Sequence, residues 1–485
     1  MSENLTGRTV RGAAWIGGAS MAKLGLRIVS VAILGRLLTP QEYGIVAGAL
    51  IAMDLAEMVY GMGLAPTLIQ RRDVRPEHVA TALTSALVTA VLAAAGMWFA
   101  APLIADAMRI PDLTQILKVL AWLTPLGAFT ILCEALLARR MQFRSVALRP
   151  LFSFTIATFL VAIPMAWYGF GYWSLVGMDA ADTVVSTLTL GIAARKLLVR
   201  PGFSRQAFSE LWPLSVGFTI NQPFAYIAQN ADRVLIGRFL GAASLGLYTR
   251  ASLITTTAAS LFADITRLSV FPAMARVQGD QERLRTALLR SLSLVALLTL
   301  PTTAFCVVFA KEVVGLLLGP QWGAAVVPFA ILSGALYLRL AWRVCVAVFQ
   351  ARGRPNQLTA THVFRALALV LGVWFAQPYG LEAASAAVVA VLALTQAIMF
   401  FIVMRDTDLA FHRLAAVHLR PLVLSAGVAG VGIALKASLA GIPGPALLAI
   451  SIAVMLASIV PMVVFQKKRV LGSDTVALLR QLQGG

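Results

Sequence analysis

Val79–Ala105 reads VATALTSALVTAVLAAAGMWFAAPLIA, 27 residues without one charged side chain. The hydrocarbon core of a bilayer is about 30 Å thick, and a helix needs roughly 20 apolar residues to cross it. Stretches of this kind recur at 11–34, 43–69, 79–105, 114–137, 147–167, 172–194 and 207–231, and again at 246–271, 287–310, 324–349, 357–376, 380–404, 419–438 and 443–465. Hydrophobic residues make up 59% of the 485 and charged residues only 13%. A soluble chain of this length has no core large enough to hide that much apolar surface. The expected fold is all-α: a polytopic membrane protein of fourteen transmembrane helices. Helices are required because lipid offers no partner to backbone N–H and C=O groups.

The formal net charge of +19 resembles a nucleic-acid signal, but its distribution points to a membrane. Basic residues crowd into alternate loops, at 70–78, 139–146, 195–206, 273–286, 350–356 and 405–418 and at both ends of the chain. The intervening loops hold only Arg36, Arg109, Arg233, Arg238, Lys311 and Lys436. The positive-inside rule then places both termini and the basic loops in the cytoplasm, and the expected location is a bacterial inner membrane. No nucleic-acid partner is expected. The first ten residues are polar and the first apolar stretch is long enough to stay in the bilayer, so no cleaved signal peptide is expected. Cys133, Cys306 and Cys345 fall inside apolar spans at no motif spacing, which predicts neither a disulfide framework nor a metal site. Trp122, Trp167, Tyr172, Trp173 and Trp322 read as anchors at the membrane faces. No phosphate-binding glycine loop or nucleophile elbow appears, so the sequence gives no catalytic residue, cofactor or enzyme activity.

An internal repeat organises the chain. Ile33-Leu34-Gly35-Arg36-Leu37-Leu38 followed by Gly44 matches Leu235-Ile236-Gly237-Arg238-Phe239-Leu240 followed by Gly246, at an offset of 202. Ala138-Arg139-Arg140 after the fourth span is echoed by Ala351-Arg352-Gly353 after the tenth. The expected organisation is an N-terminal lobe over 1–205 (helices 1–6) and a C-terminal lobe over 206–405 (helices 7–12). Helices 13 and 14 follow over 406–466, then a cytoplasmic tail over 467–485 with a short amphipathic helix at Ser473–Leu482. Parallel repeats of this kind enclose a central cavity and alternate its access by rocking.

Several stretches resemble one family. They are GRLLTPQEYG at Gly35–Gly44, ADRVLIGRFLG at Ala231–Gly241, FPAMARVQGDQERLR at Phe271–Arg285 and FQARGRPN at Phe349–Asn356. In order and spacing they are similar to the Wzx-type polysaccharide flippases of the multidrug/oligosaccharidyl-lipid/polysaccharide exporter superfamily. The resemblance implies transport of an undecaprenyl-pyrophosphate-linked oligosaccharide from the cytoplasmic to the periplasmic leaflet. It also implies membrane-lipid contacts and neighbouring glycosyltransferases and a polymerase. Two alternatives remain: a multidrug exporter of the same superfamily and a polytopic polysaccharide polymerase. The absence of a large extracytoplasmic loop disfavours the polymerase.

A pyrophosphate crossing hydrocarbon needs fixed cations, and ionisable groups within spans are costly enough to be functional candidates. The basic ones are Lys23, Arg27, Arg250, Arg267, Arg339, Arg343 and Arg365. The acidic ones are Asp54, Glu57, Glu134, Asp179, Asp182 and Asp264, and all but Glu134 are candidates to bind a coupling proton or sodium ion. Lys23/Arg27 and Arg339/Arg343 are i,i+4 pairs, while Asp54/Glu57 and Asp179/Asp182 are i,i+3 pairs, so each shares a helix face. The acids concentrate in the first lobe and the arginines in the second, so anion binding is expected to lean to the second.

Overall fold

The computed structural model describes residues 2–61, 63–71, 73–219, 222–275, 281–352 and 355–438, with 446, 450, 451 and 453 beyond them. Apart from those four residues, the fourteenth expected span and the tail helix at Ser473–Leu482 lie outside the described residues. So do the side chains of Asp264 and Arg267. Every described element is helical, and no strand occurs among the described residues.

Local chemistry sets the helix ends. α1 runs Ser2–Leu37 and α2 runs Pro40–Gly61. Between them Thr39 and Glu42 form a capping box. The Thr39 N–H donates to Glu42 Oε2 at 2.6 Å, and the Glu42 N–H donates to Thr39 Oγ1 at 3.4 Å. Pro40 takes the first helical position, where a missing N–H costs nothing. Gly63, in left-handed backbone with φ 62°, separates α2 from α3 (Leu64–Gln70). α4 (Pro76–Met108) starts on Pro76 and stops at Arg109, whose φ is 55°. α5 (Leu113–Ala121) and α6 (Thr124–Arg139) meet at a 49° bend within the fourth expected span. α7 (Phe143–Thr155), a π-helical stretch at Ile156–Ala162 and α8 (Ile163–Trp167) follow one line. α9 (Trp173–Ala194) and α10 (Arg205–Thr219) lead to α11 (Gln222–Ala275), which bends at Gly241, φ 81°.

α12 (Gln281–Val308) and α13 (Ala310–Leu317) come next, then α14 (Val326–Ser333) and α15 (Ala335–Ala351). α16 (Pro355–Ala376), α17 (Gly380–Thr407) and α18 (Phe411–Ser438) complete the described chain. Seven helical stretches among the described residues are long and apolar enough to cross a membrane, or eight if the bent α5–α6 pair counts as one. The protein is therefore a multi-pass membrane protein.

The chain forms two compact units: Met1–Gly246 with Leu317–Gln321, and Leu247–Leu316 with Trp322–Gly485. In the first, Ala82, Ala86 and Ala90 make a small-residue stripe on α4, buried in one core with Ala128, Leu132 and Leu136 of α6. Small side chains let membrane helices approach closely where water provides no hydrophobic drive. Glu210 of α10 receives Arg71, Arg75 at 3.2 Å and the fully buried His78 at 3.0 Å, which ties α10 to the α3–α4 connection. In the second unit, Leu288, Leu292 and Val295 of α12 share a core with Leu340, Val344 and Val348 of α15 and Met399 and Val403 of α17.

One expected anchor is corrected. Trp122 and Trp167 are exposed, as membrane-face residues should be, but Trp322 is wholly buried. The short 3-10 turn Pro320–Ala325, entered through Gly319 at φ 105°, turns its indole into the protein. The repeated arginines at the C-terminal ends of α6 and α15 both serve as backbone caps. Arg139 Nη1 donates to the Leu68 carbonyl at 2.8 Å, and Arg352 Nη1 donates to the Asp406 carbonyl.

Candidate functional site

In the first unit the charged pairs come together on α1, α2, α7 and α9. Lys23 is half-buried, and Arg27, one turn on, is exposed. Lys23 lies in the electrostatic field of Asp182, Arg149 and Arg27, with its Nζ 5.8 Å from the Phe154 ring centre. Asp179 lies in the field of Asp182, Asp54 and Glu57, so the two acidic pairs, on separate helices, form one acidic group. Tyr226 of α11 donates its hydroxyl to the Ile51 carbonyl at 2.9 Å and stands 3.2 Å from Asp54 Oδ2. Arg233, two turns further along α11, acts electrostatically on Asp54. Like charges repel one another, and a cation among them relieves that repulsion. No group of three or more His, Cys, Asp or Glu side chains among the described residues has the proximity of a metal-ion cage.

Three members of this constellation escaped the sequence reading. Arg149, at the cytoplasmic start of the span expected over 147–167, counts with the basic residues of the cytoplasmic side, yet it pairs with Glu134 at 3.1 Å and reaches Ser186 Oγ at 3.4 Å. Glu134 is therefore the partner of a cation. Arg233 reads as an outer-loop residue and Tyr226 as an ordinary apolar-span residue. A pairing between sequence-distant helices leaves no local spacing to detect. The only available signal was the proximity of Arg149 and Arg233 to span boundaries.

The second unit has a different balance. Arg339 is half-buried and Arg343 is exposed, one turn apart on α15. The buried Nε of Arg339 has no hydrogen-bond partner among the described residues. Trp342, between them in sequence, carries the Arg365 guanidinium 5.5 Å from its ring centre and the His362 ring edge-on at 5.6 Å. Such a guanidinium on an indole face is held by the ring quadrupole, leaving its fork oriented. Arg250, half-buried on α11, has contacts of its own. Tyr337, two residues before Arg339, hydrogen-bonds His418 of α18, a contact between helices absent from the local spacing.

The sequence from 33 to 327 matches the family model described as "Polysaccharide biosynthesis protein". The succinoglycan biosynthesis transport protein ExoT of Rhizobium meliloti (strain 1021) is 28% identical over 326 residues, covering 67% of this chain and 66% of that protein. The chain thus spans about two thirds of the length of that relative. The lipopolysaccharide biosynthesis protein WzxC of Escherichia coli (strain K12) is 24% identical over 385 residues, 76% of each chain. Among solved structures, the lipid II flippase MurJ in an inward closed conformation superposes with a TM-score of 0.74, covering 94% of this chain and 99% of that one. At 11% identity, that likeness establishes the shared fold.

Proposed function

The chain belongs to the polysaccharide biosynthesis protein family, and from that premise we propose that it turns a lipid-linked oligosaccharide from the cytoplasmic to the periplasmic leaflet of a bacterial inner membrane. The lipid is a polyprenyl pyrophosphate, and transport proceeds by alternating access without covalent chemistry. In this reading fourteen helices cross the bilayer with both termini cytoplasmic. The two repeated lobes, 1–205 and 206–405, carry a central cavity, and helices 13 and 14 follow them.

The observation that carries the reading is the cation pair on α15, where the Arg339 Nε has no acceptor among the described residues. In the first unit Arg149 faces Glu134, while Lys23 lies near Asp182 and Arg233 near Asp54. On α15 the buried Arg339 Nε has no acceptor among the described residues, and Arg343 repeats the positive charge one turn away. A buried donor without an acceptor is expensive, and an anionic headgroup would satisfy it. Two guanidinium groups on one face suit the several oxygens of a pyrophosphate. Arg365, oriented on Trp342, supplies a third cation. The acidic group of the first unit takes the coupling proton or sodium ion. Glycosyltransferases build the substrate and a polymerase consumes it.

Deletion of the gene tests this function. Lipid-linked repeat units should accumulate in the cytoplasmic leaflet and surface polymer should disappear. Export of single, unpolymerised units from the deletion strain would instead identify the protein as the polymerase.

A further inference from the structure

The repeat seen in the sequence returns in space as a reciprocal contact. Gly44 of α2 and Gly246 of α11 are equivalent at the offset of 202, and so are Pro40 and Ala242. A Cβ on Gly44 would fall inside the shell of the Ala242 carbonyl oxygen and 2.9 Å from the Gly246 nitrogen. A Cβ on Gly246 would fall inside the shell of the Pro40 carbonyl oxygen and 2.9 Å from the Gly44 nitrogen. Each residue of one copy thus meets in the other copy the equivalent of its own partner, the signature of a two-fold contact. The two helix backbones touch, and only hydrogen fits between them. Pro40/Gly44 and Ala242/Gly246 each place compact residues four apart, the spacing that allows such an approach within a membrane.

The neighbouring layer adds further contacts between the two repeats. A Cβ on Gly35 would stand 3.0 Å from the Leu318 Cα, and one on its equivalent Gly237 would stand 2.9 Å from the Met108 Cε. The Arg36 Cγ lies 3.2 Å from the Cβ position of Gly319. Arg238, its equivalent, donates Nη1 to the Asp106 carbonyl at 3.2 Å. Gln321 Nε2 donates to the Gly35 carbonyl at 2.6 Å. The first Gly-Arg motif therefore grips residues 318–321 of the second repeat, and the second grips 106–108 of the first. This exchange accounts for the membership of Leu317–Gln321 in the compact unit that holds Met1–Gly246.

We infer that this Gly44–Gly246 crossing is the closed extracytoplasmic gate of the transporter, a bare-backbone seal that must part for cargo to leave. The inference rests on the alternating-access reading and on the charge-based topology, which puts Thr39 and Gly241 at the outer end of their helices. A backbone-to-backbone contact has two well-defined states: it seals only when both glycines are seated, and one added methyl holds it apart. The device thus converts a small separation of the repeats into an all-or-none change in access.

The test uses a full-length protein with Cys133, Cys306 and Cys345 replaced and a single reporter, Leu50→Cys. Leu50 is exposed, on the α2 face that carries Asp54 one turn further in. The probe is a membrane-impermeant maleimide added from outside. Gly44→Ala and Gly246→Ala should each raise labelling of the reporter several-fold and lower polymer export. Gly96→Ala, where a Cβ meets nothing within 4 Å, should change neither. Unchanged labelling in either glycine variant, with normal membrane abundance, overturns the gate whatever happens to export. Should those variants fail to accumulate, Gln321→Ala carries the test, because it removes the bond to the Gly35 carbonyl that braces the crossing and adds no methyl to the crossing itself. Raised labelling then supports the gate, and unchanged labelling overturns it. Raised labelling together with normal surface polymer in a deletion strain would leave the gate standing and overturn the flippase reading alone.

Discussion

Replacing Arg339 separates a binding role from a structural one. Its buried Nε has no hydrogen-bond partner among the described residues, a situation that costs about 1–3 kcal/mol in a folded protein. Arg339→Leu keeps an apolar stem and removes that unsatisfied donor. The variant should therefore melt in detergent at the same temperature as the native protein or higher. Function should move the other way. A hydrogen bond to a charged group contributes about 1.5–3 kcal/mol, and each 1.4 kcal/mol is tenfold in affinity, so loss of one guanidinium contact should weaken substrate binding by about 10- to 150-fold. Arg343→Ala should fall in the same range. Arg→Lys at either position should recover part of it, since a point charge remains without the fork. The assay pairs a melting curve with polymer export from cells of matched protein content. Normal export by the Arg339→Leu, Arg343→Ala double variant would refute the reasoning. A sharply lowered melting temperature for Arg339→Leu alone would show that the arginine holds the fold rather than the cargo.

Asp54→Asn and Glu57→Gln should change the dependence of export on the proton or sodium gradient more than they change substrate affinity, measured by transport into vesicles with each gradient imposed separately. Tyr226→Phe removes only the hydroxyl at Ile51 and Asp54, a net loss of about 0.5–1.5 kcal/mol, so export should fall by about tenfold or less under the same assay. The Arg149–Glu134 pair should show a coupling of about 1 kcal/mol or less in a double-mutant cycle followed by melting, because the Glu134 side chain is 38% exposed and screened. A cysteine at Arg140 should be labelled only from the cytoplasmic side, and periplasmic labelling would invalidate the topology.

The sequence made some parts of this molecule easy to read and others invisible. α4 was legible because 27 uncharged residues between Arg75 and Arg109 admit only a spanning helix, and Pro76 marks its start. The i,i+4 and i,i+3 charge pairs were legible because helical periodicity alone puts each pair on one face. Pairing between helices was not legible. Arg149 counted only as a cation of the cytoplasmic side until Glu134 appeared beside it, and Tyr226 had no local reason to meet Asp54. Trp322 misled because residue type favours the interface, whereas a six-residue turn behind Gly319 decided its burial. The repeat was visible at 202 residues, but its reciprocal grip depends on backbone contacts that no residue pattern encodes.

The most direct test of the central claim is leaflet exchange by the purified protein in liposomes carrying a polyprenyl-pyrophosphate-linked oligosaccharide. A membrane-impermeant sugar-modifying enzyme outside the liposomes reports which molecules face outward. With native protein and an imposed gradient, modification should proceed from the outer-leaflet share to all of the substrate. With the Arg339→Ala, Arg343→Ala variant it should stop at the outer-leaflet share, as in protein-free liposomes. If native protein also stopped there, or if the variant flipped as fast as the native chain, the account of a cation-guided lipid-linked oligosaccharide flippase would be contradicted.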